Sequence, residues 1–182
     1  MTDDHFVHES ATVSPDATIG RDTKIWDWAK VREGAQLGAG CIVGQGVYID
    51  TSVRIGDRCK LQNGVSVYQG VTIDDDVFVG PAATFTNDKI PRAFAADWEV
   101  SPTHVESGAS IGANATIVCG IRIGHYAMIA AGSVVTRDVP PHALVMGNPA
   151  RIVDYVTQRG HRLNWDLSTG SPSAEKLADL GR

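Results

Sequence analysis

The stretch between Phe85 and Val105, TNDKIPRAFAADWEVSPTH, carries an amide (Asn87), three carboxylates with Asp88 next to that amide, two cations (Lys89 and Arg92) and two large aromatic side chains (Phe94 and Trp98). Groups of these types hold polar ligands, aim a nucleophile or carry a proton. Metal chemistry is less well served. The six histidines, His5, His8, His104, His125, His142 and His161, include no His-x4-His pair, and His104 with His125 would supply only two ligands where a catalytic zinc takes three. Cys41, Cys59 and Cys119 lack metal-knuckle spacing and are too few for a disulfide framework.

Composition narrows the class of protein. The chain has 182 residues, 43% of them apolar, and 16 Lys plus Arg against 21 Asp plus Glu give a net charge of −5. These values fit one folded domain and exclude a disordered chain. No Lys/Arg run forms a phosphate-binding stripe, so nucleic acid is not an expected partner. The first ten residues, MTDDHFVHES, have no apolar signal core, and no apolar run is long enough to span a membrane. The expectation is a cytoplasmic protein with no membrane partner.

The elements that would position the reactive side chains follow from a period of six. Counting in sixes from Val7, the lead positions run unbroken to Phe85, restart at Val105 and continue to Val135, and 19 of these 20 are Ile, Leu or Val. Four residues after each lead other than Phe85 stands a second uncharged residue, such as Ala35, Cys41, Val65 or Ser133. Fifteen of the 19 glycines fall one or three residues after a lead, where a tight corner must lie. Six residues suit one short strand and a corner, and three such units close a triangular coil.

Coils stacked at about 4.8 Å bury the lead side chains as columns. The fold expected is all-β, a parallel β-helix of hexapeptide repeats over 1–139 with one long loop inserted at 86–104. Cys41 and Cys59, eighteen apart, should stack as small buried residues, and Asp74-Asp75-Asp76 should be a solvated corner. Beyond Pro140-Pro141, ARIVDYVTQR predicts a short amphipathic helix covering the last coil, and Ser171-Pro172 predicts the start of a second. Residues 140–182 are thus expected to form a short helical cap and tail.

Function is expected where the repeat fails, because a loop this long in a compact solenoid is usually functional. Eighteen-residue stacking sets Tyr68, Asp50 and Arg32 in turn beneath Thr86, and Gln69, Thr51 and Glu33 beneath Asn87. Lys60, Gln62 and Asn63 lie round the preceding corner. A polar cluster of Gln62, Asn63, Tyr68, Gln69 and Asn87 is expected at the root of the loop.

The repeat resembles the hexapeptide-repeat acyltransferases, and IGHYAMIAAGSVVTRDVPPHALVMGNPARIV looks like their common C-terminal signature. KLQNGVSVYQGVTIDDDVFVGPAATFTNDKIPR and GASIGANATIVCGIRIG are similar to the N-acetyltransferases of nucleotide-linked 3-amino sugars. These act on UDP-2-acetamido-3-amino-2,3-dideoxyglucuronate or on dTDP-3-amino-3,6-dideoxyhexoses. The resemblance implies a left-handed β-helix and a homotrimer that binds acetyl-coenzyme A (acetyl-CoA) between subunits. It also implies acetyl transfer to the C3 amine of a sugar nucleotide, in bacterial surface-polysaccharide or deoxysugar biosynthesis.

In related O-acetyltransferases a histidine at the place of Asn87 acts as general base. An amide takes no proton, but its oxygen can hold an amine N–H and aim the lone pair. Asp88 is then either a base, or a loop cap or ion pair with Lys89 or Arg92. The resemblance assigns Gly112-Ala113-Asn114 and Ala130-Ala131-Gly132 to the pantetheine arm, and Arg137 and Arg151 to the coenzyme phosphates. Lys60, Gln62, Asn63, Tyr68, Phe85 and Arg92 are the candidate substrate contacts, and no metal is expected. A glucuronate would use a cation such as Lys60, Lys89 or Arg92, and is the substrate favoured. The alternatives are an O-acetyltransferase of the same superfamily and a metal hydratase of the gamma-carbonic-anhydrase type.

Overall fold

The computed structural model describes residues 4–179. Strands of two or three residues recur every six positions from Phe6–Val7 to Val134–Val135, interrupted once, and wind into parallel sheets of seven, seven and six strands, the first extended to nine by Ala143–Gly147 and the antiparallel Ala150–Tyr155. Neighbours in a sheet are eighteen residues apart, as in Lys24 opposite Ile42, Ile42 opposite Lys60 and Lys60 opposite Phe78. The result is a β-helix of about eight turns. In each strand one residue points out and its successor points in, so Lys60 is exposed and Leu61 is buried. Lead residues and the residues four beyond them together form the core.

The corners use three devices. Three residues after the lead the backbone has positive φ, at Gly34, Gly46 and Gly64 but also at Ser52, Arg58, Ala82 and Asn114. One residue after the lead, glycine answers a different need. A Cβ on Gly80 would lie 2.6 Å from Ala113 N, so two coils meet there backbone to backbone. Two residues after the lead, a short polar side chain accepts an N–H from the coil below: Asp57 from Ala39, Asp75 from Asp57 and Asn63 from Gln45, at 2.8, 2.8 and 3.1 Å. The corner Asp74-Asp75-Asp76 is therefore more than a solvated turn, because Asp75 joins two coils and Asp76 holds Arg58 at 2.7 and 2.8 Å. Cys41 and Cys59 are buried free thiols, as expected from their register.

The C-terminal helical cap is not what forms. Ala150–Tyr155, expected within a helix, is a strand antiparallel to Ala143–Gly147, which itself continues the nine-stranded face by pairing with Met128 and Ile129. Ile152, Val153 and Tyr155 favour a strand, and the free edge of Ala143–Gly147 offers the partner that overrides a helical pattern. The second helix also starts later, at Ala174–Asp179, with Ser173 rather than Ser171 as its cap. Ser171 instead accepts the Tyr155 hydroxyl at 2.7 Å. Buried Asp154 anchors the following segment, accepting the N–H groups of Tyr155, Asn164 and Trp165 and the Arg162 Nε.

Two predictions follow from these contacts. Gly80→Ala forces a methyl into the backbone of the next coil and should cost about 3 kcal/mol or more. Gly46→Ala meets only its left-handed φ in open space and should cost about 1 kcal/mol. Urea melts of both variants measure the difference, and equal losses would contradict the close-approach account. At Asp154 burial works to raise the carboxyl pKa, but the four donors outweigh it and hold the value low. A depressed folded-state pKa gives stability that is present above the unfolded value and lost as pH falls through the folded one. The destabilisation by Asp154→Asn, about 1–3 kcal/mol at pH 7, should therefore shrink towards zero in acid. A pH-independent difference in melting temperature would overturn this assignment.

Candidate active site

The inserted loop leaves the corner between the seven- and six-stranded faces. Lys60 pairs eighteen residues on with Phe78, but Phe78 pairs with Ser110, so the loop adds fourteen residues to one coil. It is shorter than the expected 86–104, because Thr103 and His104 already belong to the strand Thr103–Val105. Its ends are clamped. Ser101 N–H donates to Asn87 O at 2.9 Å, and Cys119 N–H donates to Thr86 Oγ1 at 3.0 Å. Asn87 is thus fixed through its backbone, while its side-chain amide has no protein partner among the described residues.

The loop folds over a cleft of about 470 Å³ lined by Asn87, Asp88, Pro91, Arg92, Ala95 and Trp98. Asp88 Oδ1 accepts the Ile90 N–H at 2.8 Å, an Asx turn, and forms no ion pair with Lys89 or Arg92 among the described residues. Of its two readings, the local geometry fits the loop cap. Arg92 Nη1 donates to Pro91 O at 2.8 Å, and Lys89 Nζ lies over Gly120.

Directly below the loop stands a polar column. The Tyr48 hydroxyl accepts from Arg32 at 3.2 Å and donates to Asp50 at 3.0 Å, while the Tyr48 and Tyr68 rings are 5.6 Å apart. Partial burial pushes the Asp50 carboxyl up, yet the N–H groups of Thr51 and Gln69, the Tyr48 hydroxyl and Arg32 prevail and hold it below its ordinary value. Tyr68, Gln69 and Asn87 do share one corner, as expected.

Other expected contacts fall elsewhere. Phe85 is wholly buried in the core. Lys60 points out from the nine-stranded face, and Gln62 and Asn63 form the corner between that face and the seven-stranded one, so a whole face separates them from the loop of the same chain. The Asn63 side-chain Oδ1 already accepts the Gln45 N–H. The Gly112-Ala113-Asn114 and Ala130-Ala131-Gly132 corners stack on that same far edge, tied by Gly132 N–H to Ala113 O at 2.8 Å. Arg137 and Arg151 do come together, around a mainly apolar recess of about 280 Å³ at the last coil. That recess shares Asp138 with a groove of about 540 Å³ on the six-stranded face, which reaches back to the loop root at Pro102 and Gly70.

Sequence reasoning weighed His104 only as a zinc ligand. His104 Nε2 instead lies 2.9 Å from Asp74 Oδ1 on that groove, and His125 contacts Glu106. Counting across the fourteen-residue insertion, which sets His104 beside Thr72, would have exposed its outward position. No group of three or more His, Cys, Asp or Glu side chains suited to a metal occurs among the described residues. No helix among them is long and apolar enough to cross a membrane.

Comparison with known proteins gives the family. The model of the bacterial transferase hexapeptide (six repeats) matches residues 16–51 and 102–137, and that of the hexapeptide repeat of succinyl-transferase matches 51–69. The dTDP-3-amino-3,6-dideoxy-alpha-D-galactopyranose 3-N-acetyltransferase of Aneurinibacillus thermoaerophilus is 60% identical over 63 residues, 35% of this chain and 33% of that protein. The aligned part thus spans about a third of that curated relative. GDP-perosamine N-acetyltransferase from Caulobacter crescentus, a histidine-to-alanine variant with coenzyme A and GDP-perosamine, gives a TM-score of 0.56 at 26% identity over 81% of this chain and 55% of that one. The hexapeptide-repeat acetyltransferase of Vibrio cholerae O1 biovar eltor, complexed with acetyl-CoA, gives 0.61 at 33% identity over 67% of this chain and 70% of that one. Repeat, loop and similarity agree that the chain belongs to the hexapeptide-repeat acetyltransferases.

Proposed function

We propose that this protein transfers acetyl from acetyl-CoA to the 3-amino group of a nucleotide-linked amino sugar destined for a bacterial surface polysaccharide or deoxysugar. The observation that carries this reading is the Asn87 amide, without a protein partner among the described residues and lining a cleft with Asp88, Arg92 and Trp98. A hydroxyl acceptor would require a strong base at that position, whereas an amine needs to be oriented. Asn87 Oδ1 accepts an amine N–H and points the lone pair at the thioester carbon. A backbone N–H of the coils above the loop stabilises the oxyanion. The relative that is 60% identical over 63 residues acts on a dTDP-3-amino-3,6-dideoxyhexose, which favours that sugar class over the glucuronate. Lys89 and Arg92 then serve the diphosphate.

The groove from the loop root to Arg137 and Arg151 has the extent and the terminal cations to suit acetyl-CoA, with the guanidinium groups at its phosphates. A cytoplasmic location accords with that co-substrate. The Gly112 and Ala131 corners and Gln62 lie on the opposite edge of the seven-stranded face, with Lys60 on the nine-stranded face just beyond it, so a trimer explains how they join the site. From Ser66 upward that face presents Ser66, Thr84, Thr116 and Val134, with no charge. Three copies packed through it would bring the loop corner of one chain against the far corner of the next. Phe94, 86% exposed, and Trp98, 49% exposed, would be covered by that neighbour.

Thiol release from acetyl-CoA with dTDP-3-amino-3,6-dideoxyhexoses and with the UDP-glucuronate analogue tests the reading, and silence with both amines would sink it. In the active pair, Asn87→Ala should lower kcat by about 10–1,000-fold, the range for a lost orienting contact. Asp88→Asn, which keeps the turn acceptor, should cost less than about 10-fold. A wild-type rate in Asn87→Ala would end its orienting role. For the assembly, light scattering should return three times the 19.4 kDa chain mass, and an active monomer would refute the shared site.

A further inference from the structure

The lowest coils carry an aromatic pair that the acetyl transfer described above leaves unused. Trp26 and Trp28 stand 42% and 68% exposed at the corner between the nine- and seven-stranded faces, and the Phe6 ring lies 5.5 Å from that of Trp26. Trp28 has a φ of 56°, the left-handed backbone that strains any residue with a side chain. Stacked above it on this edge, the equivalent positions hold Gly46, Gly64, Ala82, Asn114 and Gly132. Only Trp28 sets a large ring there. The space over it is open, because a Cβ on Gly46 would meet nothing within 4 Å.

A cation accompanies the pair. Lys30, two residues after Trp28, points outward and exposed from the lowest part of the seven-stranded face, below Tyr48 and the uncharged stretch that begins at Ser66. Burying an unpaired ammonium against protein is costly, so chains that pack through the upper part of this face leave the lower part to an anionic ligand.

Height points to the ligand. From Lys24 the register climbs through Ile42 and Lys60 to Phe78, which shares its turn with Asn87, so the Trp26 corner lies three coils lower. At the strand spacing this is a drop of about 14 Å. Under the reading above, acetyl-CoA takes the coils above the loop root, and a nucleotide held by its sugar at Asn87 must run downward. A pyrophosphate and a pentose separate that sugar from the base, and in extended form they span such a drop.

We propose that Trp26 and Trp28 stack the nucleobase of the sugar nucleotide whose amine is aimed by Asn87 of the neighbouring chain, and that Lys30 meets its phosphates. The proposal rests on the reading of the chain as a trimeric amino-sugar acetyltransferase. An indole stacks on the π-face that every base possesses, and a cation beside it holds the adjoining phosphate. The strained backbone of Trp28 then has a use, since it sets a ring where glycine would leave none.

The competing account makes the pair a contact between copies of the chain, with no ligand. The probe is dTDP, which has the base and both phosphates but no amine. Wild-type protein should bind it with quenching of tryptophan fluorescence, and Trp28→Gly should weaken binding by about 5–150-fold, the range for one lost base–aromatic stack. Glycine suits a left-handed corner, so this variant should melt no lower than the wild type. Trp26→Phe, which keeps a ring, should weaken binding less than Trp26→Ala. In turnover, the KM for the amino-sugar nucleotide should rise in Trp28→Gly by a similar factor while that for acetyl-CoA holds. Unchanged dTDP affinity in Trp28→Gly overturns the base site, and with it a change in oligomer mass would make the pair a contact between copies. A wild type that binds neither dTDP nor UDP also overturns it. Trp28-dependent binding of dTDP by a protein inert towards every amino-sugar nucleotide supports the base site and ends the reading of the reaction.

Discussion

Everything in this molecule depends on the hydrogen bonds between a coil and the coil above it. Lys60 N–H reaches Val77 O, Gln62 N–H reaches Val79 O, and beyond the loop Thr84 N–H reaches Ala115 O, each at 2.9 Å. A strand of two residues has no stability of its own, so its backbone groups are satisfied only if the next coil repeats its path. This fixes the period and puts the corner conformation under the control of the stack. Arg58, Ala82 and Asn114 accept positive φ because leaving the path would strand the hydrogen bonds of two coils, a larger penalty than the left-handed backbone.

The same constraint decides where chemistry can be added. An insertion is tolerated only if the chain returns to the register it left, and a corner is the place where a detour breaks no strand pairing. The loop meets this condition through Ser101 on Asn87 and Thr103 on Gly70, at 2.9 and 3.1 Å. Its first residue, Asn87, is consequently held by a rigid frame, while Phe94 and Trp98 project from the loop. A side chain at the mouth of such a loop is oriented by the solenoid, which suits a group whose contribution is aim rather than proton transfer.

The period of six made the coils, the buried columns, the stacked thiols and the site of the insertion legible, because each is a direct consequence of inward and outward alternation. Three things were not legible, each for a physical reason. Ala150–Tyr155 pairs with an edge that exists only once Ala143–Gly147 has folded back, and a short apolar run does not distinguish strand from helix. Gln62 and Asn63 are near Tyr68 in sequence, but a corner turns them onto a different edge, where the Asn63 oxygen is consumed by the stack. Phe85 stands next to the loop, yet its lead position commits the ring to the core. Proximity along the chain is a poor guide in a solenoid, since residues eighteen apart are closer neighbours than residues six apart.

The three faces are not equivalent, and the difference is one of charge. The six-stranded face presents Gln36, Arg54, Thr72, His104 and Arg122, and the corner that follows it adds Glu106, Asp74 and the Arg58 cluster. Among them His104 meets Asp74, Arg122 meets Glu106 and Arg58 meets Asp76, and grooves open to a charged ligand run between them. The seven-stranded face above Tyr48 carries only small uncharged residues, whose desolvation costs little. A face with nothing to desolvate suits contact with another copy, and a face of paired charges suits a polar co-substrate. The loop rises from the corner between the two, so a side chain there can meet both a neighbouring chain and a ligand lying along the grooves.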